Sequence, residues 1–308
     1  MRLLGLLLLG AALPALAAVH YVTVAGLGGE PDYEQRFQTL AKDVDKILKG
    51  SGGDVQVHTL VGDQATKAAI QATMAQVAQA AKADDALVVM LIGHGTFDGV
   101  EYKFNVKGPD VTAVELAALC DRIAAQRQLV VNTTSASGGS IAALQKPNRA
   151  VIAATKTGSE KNATVFARYW VEALRDPAAD TDKNETVSAL EAYRYADRKT
   201  VSFYETQKRL ATEHAMLEDT GKGSGVRAPS NENGHGLLAS RLPLLRLGSV
   251  QRAAADPAKQ QLLARKEQLE QKLDQLKYEK AAMAAADYRK QLQSLLLELA
   301  RIQEALDK

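Results

Sequence analysis

Cysteine, aromatic residues and unbalanced charge are all scarce in this 308-residue sequence. Its single cysteine excludes an intrachain disulfide, an iron–sulfur cluster and a Cys-rich zinc site. Aromatic residues make up only 5% of the chain, which argues against a stacking platform for single-stranded nucleic acid. The 38 Lys and Arg nearly balance the 36 Asp and Glu, so no basic footprint for nucleic acid is expected. The 46% of hydrophobic residues excludes a wholly disordered chain.

The first seventeen residues have the pattern of an export signal. A short positive start precedes a run of Leu, Gly and Ala over residues 3–13, and Ala15-Leu16-Ala17 is the small-x-small pattern that signal peptidase reads. The run is shorter than the roughly 20 residues that a membrane-spanning helix needs, and no later segment reaches that length. We therefore expect cleavage after Ala17, a mature chain that begins at Ala18, and a periplasmic or secreted protein without a membrane span.

The body of the chain alternates strand and helix patterns. Strand-like apolar runs cover residues 20–25, 55–60, 86–92, 129–132 and 150–154. Helical spacing of apolar residues covers residues 35–48 and 66–81, and a further helix begins at Thr112, where Glu115 completes a capping box. Apolar strands separated by helices predict an α/β fold with a mainly parallel sheet covered on both faces. Such sheets bind ligands at the carboxyl ends of their strands.

Two of these strands run into polar loops with a specific pattern. The first ends in Gly93-His94-Gly95, and about 40 residues later the second ends in the segment TTSASGG, residues 133–139. A strand that ends in His-Gly, followed by one that ends in a small nucleophile and a Gly-Gly turn, resembles the caspase–legumain superfamily of cysteine peptidases. The resemblance covers roughly residues 19–215, and residues 26–48 look like the legumain side. It implies a caspase/legumain-like fold over residues 18–250, with His94 as general base.

Ser135 stands where the resemblance places the catalytic cysteine. A cysteine thiol, with a pKa near 8.5, forms a thiolate easily, whereas a serine hydroxyl needs a base in direct contact that a third group usually orients. The resemblance implies a dyad without such a group, although the backbone N–H of Gly95 could still contribute to an oxyanion hole. We therefore expect impaired catalysis with a retained peptide-binding cleft. An active endopeptidase with a His94/Ser135 dyad, cleaving after Asn or Asp, is the alternative.

Three other residues have expected roles. By the resemblance, Arg36 could hold an acidic or amide side chain of a bound peptide or protein, since a guanidinium suits a carboxylate. Glu160 could line the same cleft. A solvated helix-surface arginine and an ordinary loop acid are the alternatives. Cys120 lies at core spacing with Leu116 and Ile123, so we expect a buried, inert side chain.

Residues 180–191 nearly fit the twelve-residue EF-hand loop that binds calcium. Oxygen-bearing ligands fall at the required positions, namely Asp180, Asp182, Asn184, Thr186 and Glu191. Glu185 occupies position six, where a glycine normally permits the sharp turn. The pattern favours a weak, structural calcium site, and a simple acidic cap for the following helix is the alternative. No other cofactor is expected.

The chain from residue 251 reads as long helix. Residues 262–283 and 288–306 carry two apolar heptad stripes that are out of phase with each other. A bend between them would give an antiparallel hairpin, and continuous helix would give a coiled coil. Either arrangement could support self-association. Residues 221–236, rich in Gly, Ser, Asn and Pro, predict a loop.

Overall fold

The computed structural model describes residues 17–51 and 54–308, so the predicted export signal, apart from Ala17, lies outside the described residues. The strands are β1 (Val19–Ala25), β2 (Val55–Leu60), β3 (Ala86–Ile92), β4 (Gly95–Phe97), β5 (Tyr102–Phe104), β6 (Val111–Thr112), β7 (Arg127–Asn132), β8 (Arg149–Ala153), β9 (Thr186–Ser188), β10 (Met216–Glu218) and β11 (Pro243–Arg246). The helices are α1 (Pro31–Lys49), α2 (Lys67–Ala80), α3 (Ala113–Asp121), α4 (Ile141–Leu144), α5 (Phe166–Ala173), α6 (Ala189–Thr206), α7 (Leu237–Ser240), α8 (Gly248–Ala255), α9 (Gln260–Glu279) and α10 (Ala285–Asp307).

A six-stranded sheet in the order β10-β8-β7-β3-β1-β2 forms the centre of the fold. All neighbours are parallel except the edge strand β10, which pairs antiparallel with β8. The predicted mainly parallel sheet flanked by helices is therefore confirmed. The predicted capping box at the start of α3 is also present, between Thr112 and Glu115.

Helices cover both faces of this sheet. In β3, Val88, Met90 and Ile92 face a core shared with α1, α5 and α6. The alternate residues of β3 face a second core shared with α2, α3 and α4. Because both faces are covered, each residue of β3 is apolar and buried, as expected for a central parallel strand. Cys120 is fully buried in the second core, as its spacing predicts, and burial raises the pKa of its thiol to about 11.

Two small antiparallel sheets join this frame. The three-stranded sheet formed by β4, β5 and β6 follows His94 directly and lies at the carboxyl end of the central strands. Strands β9 and β11 pair with each other, so the acidic loop before β9 is joined to the segment that leads into the C-terminal helices.

The last two helices form an antiparallel hairpin. The Lys259 ammonium donates to the Leu306 carbonyl at 2.7 Å, and Arg265 pairs with Glu298 at 2.5 Å, so the start of α9 lies beside the end of α10. Leu269 and Ile302 pack together with Ala253 of α8, which attaches the hairpin to the rest of the chain. Self-association through these helices stays a prediction. No helix among the described residues is long and apolar enough to cross a membrane.

Candidate functional site

His94 and Ser135 follow two neighbouring parallel strands, β3 and β7. The register pairs Leu91 with Asn132, so both loops begin at the same edge of the sheet, as the sequence predicts. The two loops are in direct contact. Gly95 lies so close to the Ser135 carbonyl that a side chain at position 95 would clash with it. The two motifs are therefore adjacent in space.

The Ser135 hydroxyl bonds to backbone rather than to a base. Its Oγ donates to the Gly95 carbonyl at 3.1 Å and accepts from the Gly95 N–H at 3.1 Å. The residue is only 3% exposed. The hydroxyl proton is thus held by a neutral carbonyl, which cannot remove it. Within residues 17–51 and 54–308, no hydrogen bond joins Ser135 to His94.

The His94 imidazole lies against two aromatic rings of α1. Its centroid is 4.9 Å from that of Tyr33 and 5.1 Å from that of Phe37, both edge-on. Burial lowers the pKa of His94, and the backbone of Gly28 and the charge of Glu30 oppose this only in part. The imidazole is therefore neutral at neutral pH, the protonation state that a general base requires.

A pocket of about 300 Å³ opens beside these loops, between α1 and α5. Gly93 and Thr133 from the two loops contribute to its lining, and two guanidiniums, Arg36 and Arg168, flank it. Arg36 lies 5.1 Å above the Tyr33 ring and stays exposed. Two positive groups around one small pocket favour an acidic occupant. The role of Arg36 in substrate binding stays a prediction, and Arg168 is a second guanidinium at this pocket that the sequence analysis did not single out.

Glu160 does not line this pocket. Its carboxylate accepts from the Lys156 N–H at 2.7 Å and lies 2.5 Å from Nδ1 of His214. Its carbonyl accepts from the Ala136 N–H at 2.8 Å, directly after Ser135. Glu160 thus supports the Ser135 loop from behind, and its contact with a substrate stays a prediction.

Glu213 holds the same region and was not predicted. It is 2% exposed and accepts from the Val165 N–H at 2.7 Å, the Phe166 N–H at 3.2 Å and the Tyr204 hydroxyl at 2.9 Å. Burial raises its pKa to about 7, against the effect of these donors. The two backbone N–H groups that it accepts from are 48 and 47 residues away in sequence, so no local pattern could have revealed these contacts.

The acidic loop brings three predicted ligands together. Oxygen atoms of Asp180, Asp182 and Glu191 lie within 4.8 Å of one another. Burial and then the charges of Glu191 and Asp180 raise the pKa of Asp182 to about 6. The side-chain oxygen of Asn184 accepts from the Thr186 N–H at 2.8 Å.

Glu185 adopts the backbone conformation that the calcium loop demands. Its φ of +63° lies in the left-handed region that glycine normally fills. Its carboxylate accepts from the N–H groups of Ser249 at 2.8 Å and Val250 at 3.0 Å, at the start of α8. The cap of α6 is Ser188, which forms a capping box with Glu191. The glutamate at position six is therefore explained by its capping of α8.

Comparisons with known proteins give a likeness of fold. No family model and no curated protein matches the chain. Caspase-1 from Spodoptera frugiperda is similar in structure, with 13% identity, a TM-score of 0.47, and coverage of 68% of this chain and 89% of that one. The Drosophila initiator caspase Dronc has 11% identity, a TM-score of 0.43, and coverage of 67% and 80%. The Geobacter sulfurreducens protein GSU0716 has 13% identity, a TM-score of 0.40, and coverage of 60% and 89%. At such low sequence identities the similarity concerns the fold alone and says nothing of activity.

Proposed function

We propose that this is an exported protein with a caspase-like fold that binds acidic segments of peptides without cleaving them. The observation that carries the proposal is the hydrogen bonding of Ser135, whose Oγ donates to the Gly95 carbonyl in a buried position. A serine acts as a nucleophile only when a base can accept its proton, and a backbone carbonyl is not such a base.

The pocket between α1 and α5 supports the binding half of the proposal. Arg36 and Arg168 flank it, and a carboxylate placed between them gains charge-assisted hydrogen bonds that an amide gains only in part. Binding in this pocket requires no chemistry from Ser135.

The test uses the mature chain and three fluorescein-labelled peptides that differ at one position, with Asp, Asn or Ala. Fluorescence anisotropy should give the tightest binding for the Asp peptide. Arg36→Gln and Arg168→Gln should each weaken it by about tenfold, the value of one charge-assisted bond. Arg122→Gln is the matched control, because Arg122 is exposed beyond the end of α3, away from the pocket. Equal affinity for all three peptides would refute the proposal.

The alternative, an active His94/Ser135 endopeptidase, has two observations in its favour. The His94 imidazole is neutral at neutral pH, and the Gly95 N–H lies beside the Ser135 Oγ, so that it could turn to the oxyanion that forms when the serine attacks a substrate. Cleavage of the Asp or Asn peptide that Ser135→Ala abolishes would establish this alternative. Ser135→Cys, assayed in parallel, reports whether the rest of the site can still support catalysis.

We further propose weak, structural calcium binding at residues 180–191. Three carboxylates that lie within 4.8 Å of one another support it, as does the left-handed backbone at Glu185. Asp180, Asp182 and Glu191 would supply the charge, and the Thr186 carbonyl and Asn184 would complete the ligand set.

A further inference from the structure

Asp85 is a buried carboxylate at the amino ends of the central strands, at the opposite end of the sheet from the candidate site. It precedes β3 directly and is 6% exposed. Its Oδ1 accepts from the Ala18 N–H at 2.9 Å, and its Oδ2 accepts from the Lys82 N–H at 2.8 Å and lies 3.3 Å from Nε2 of His20. Burial alone would raise the pKa of Asp85, but these donors hold it below its ordinary value. A carboxylate this buried requires strong partners to remain charged.

Backbone hydrogen bonds hold Ala18 and Val19 firmly at the start of β1. Its carbonyl accepts from the Ala86 N–H at 2.9 Å, and the following Val19 N–H donates to the Asp54 carbonyl at 2.9 Å. Ala18 is 8% exposed, whereas Ala17 before it is less buried. A cut between these two residues would therefore leave the folded chain without a loose tail.

The predicted cleavage point and the Asp85 contact meet at one atom. Hydrolysis of the Ala17–Ala18 bond by water leaves a carboxylate on Ala17 and an amine on Ala18, which takes up a proton at neutral pH. The nitrogen that becomes this ammonium is the same nitrogen that already donates to Asp85. Cleavage thus replaces the neutral amide donor to this carboxylate by a charged ammonium, which makes the contact an ion pair without moving the chain.

We propose that Asp85 is a binding site for the N-terminal ammonium of the mature chain, so that maturation itself stabilises the start of β1. The inference rests on the proposed export. The ammonium adds a Coulombic attraction to the Asp85 carboxylate that a neutral amide N–H lacks, which gives the cut chain an advantage over any chain with residues before Ala18.

Other charged groups near this contact come from each neighbouring element. They are His20 on β1, His58 on β2, Lys82 and Asp84 before β3, and Arg127 on β7. Arg127 donates to the Asp84 carbonyl at 2.8 Å, and burial and then the charge of His20 lower the pKa of His58.

The pH dependence follows from the sign of the shift. An adjacent carboxylate raises the pKa of the α-amine in the folded state above its ordinary value of about 7.7–8.0. The added stability is therefore fully present below about pH 7.5 and is lost as the pH rises through the folded-state pKa.

The experiment compares a mature chain that begins at Ala18 with one that begins at Ala15, which keeps the Ala18 N–H bond but moves the ammonium away. We expect the mature chain to melt higher by on the order of 2–4 °C at pH 6.5, and the difference to vanish near pH 10. Asp85→Asn should remove the difference, and Asp84→Asn, at an exposed neighbour, should leave it intact. Equal melting of the two chains at pH 6.5 would overturn the proposal.

A direct titration guards against misfolding of the Asp85 variant. Reductive methylation of the mature chain with ¹³C-formaldehyde labels the α-amine, and NMR follows its pKa, which should exceed that of the Ala15 chain. An identical pKa in the two chains would also overturn the ammonium site. N-terminal sequencing of protein recovered after export tests the cut itself. An N-terminus at Ala18 supports the proposal, and any other N-terminus refutes cleavage after Ala17. In that case the comparison of the two purified chains still tests whether Asp85 binds an ammonium at Ala18.

Discussion

The loop at residues 133–139 and the acidic loop at residues 180–191 both resemble functional motifs, yet the side chains that form their hydrogen bonds differ in charge. In the first loop, hydroxyls bond to backbone carbonyls: Thr133 donates to Leu91 at 2.7 Å, and Ser135 donates to Gly95 at 3.1 Å. In the second, three carboxylates lie within 4.8 Å of one another, and burial and then the charges of Glu191 and Asp180 raise the pKa of Asp182 to about 6. The first loop is neutral and satisfied, whereas the second holds negative charge that a proton or a cation would relieve.

Nearby lysines do not remove this imbalance. The ammonium of Lys183 donates to the Asp180 carbonyl at 2.8 Å, and that of Lys266 donates to the Asn184 carbonyl at 2.7 Å. Both positive groups thus bond to the backbone of the loop rather than to its carboxylates. The comparison teaches that a motif's residues indicate a chemistry only when their polar atoms remain free to perform it.

The largest effect is expected at Glu213, which holds the segment behind the Ser135 loop. Glu213→Ala leaves the buried N–H groups of Val165 and Phe166 without an acceptor and should lower the free energy of unfolding by on the order of 3 kcal/mol. Urea denaturation measures it. Glu213→Gln keeps an acceptor and should cost less than half as much, and equal losses for the two variants would contradict this explanation.

Removal of the Ser135 hydroxyl should have a smaller effect. Ser135→Ala leaves the Gly95 N–H and carbonyl without their partner and should cost about 1 kcal/mol of stability. Peptide affinity should be unchanged, because the pocket does not use the hydroxyl. Urea denaturation and anisotropy of the same preparation check both statements, and a large loss of affinity would place Ser135 in the binding site.

Asp182 should make the acidic loop sensitive to pH. Since its folded-state pKa is about 6, above the ordinary 3.8, its favourable contribution is complete below about pH 4 and is lost as the pH rises through 6. Asp182→Asn should therefore be more stable than the parent at pH 7.5 by less than about 1 kcal/mol, because solvent screens this exposed carboxylate. Thermal melting from pH 4 to 8 measures the difference. A variant less stable than the parent at pH 7.5 would rule out the charge crowding.

The smallest net effect is expected for Glu185→Gly, where two contributions oppose each other. Glycine relieves the left-handed backbone by about 1 kcal/mol but removes the cap of α8, which costs a similar amount. Stability without calcium should therefore change little, while calcium should bind several-fold more tightly. Calorimetry at millimolar calcium tests this, with Asp180→Asn as the variant expected to lose binding. Absence of heat in both the parent and Glu185→Gly would leave the loop with a structural role alone.

Much of the frame could be predicted from local patterns. Apolar runs and helical spacing predicted the parallel strands β1, β2, β3, β7 and β8 and the helices α1, α2 and α3, and parallel pairing placed the loops of His94 and Ser135 at the same end of the sheet. The small strands β4, β5 and β6 and the short helix α4 were not predicted. The partners of polar side chains could not be predicted in this way. Glu160 was expected in the cleft and instead supports the Ser135 loop, and Glu213 was not singled out at all.

The sequence by itself determined the alternation of strands and helices, the burial of Cys120, and the position of His94 and Ser135 shortly after two strands. Each of these depends on hydrophobic periodicity or capping, which acts over a few neighbouring residues. Only the tertiary structure decided where the Ser135 proton is held, that the last helices fold back as a hairpin, and that Asp85 meets Ala18. These contacts join residues 40 and 67 positions apart in the cases of Ser135 and Asp85. At such separations, the packing of whole elements selects the partner, and no local pattern encodes it.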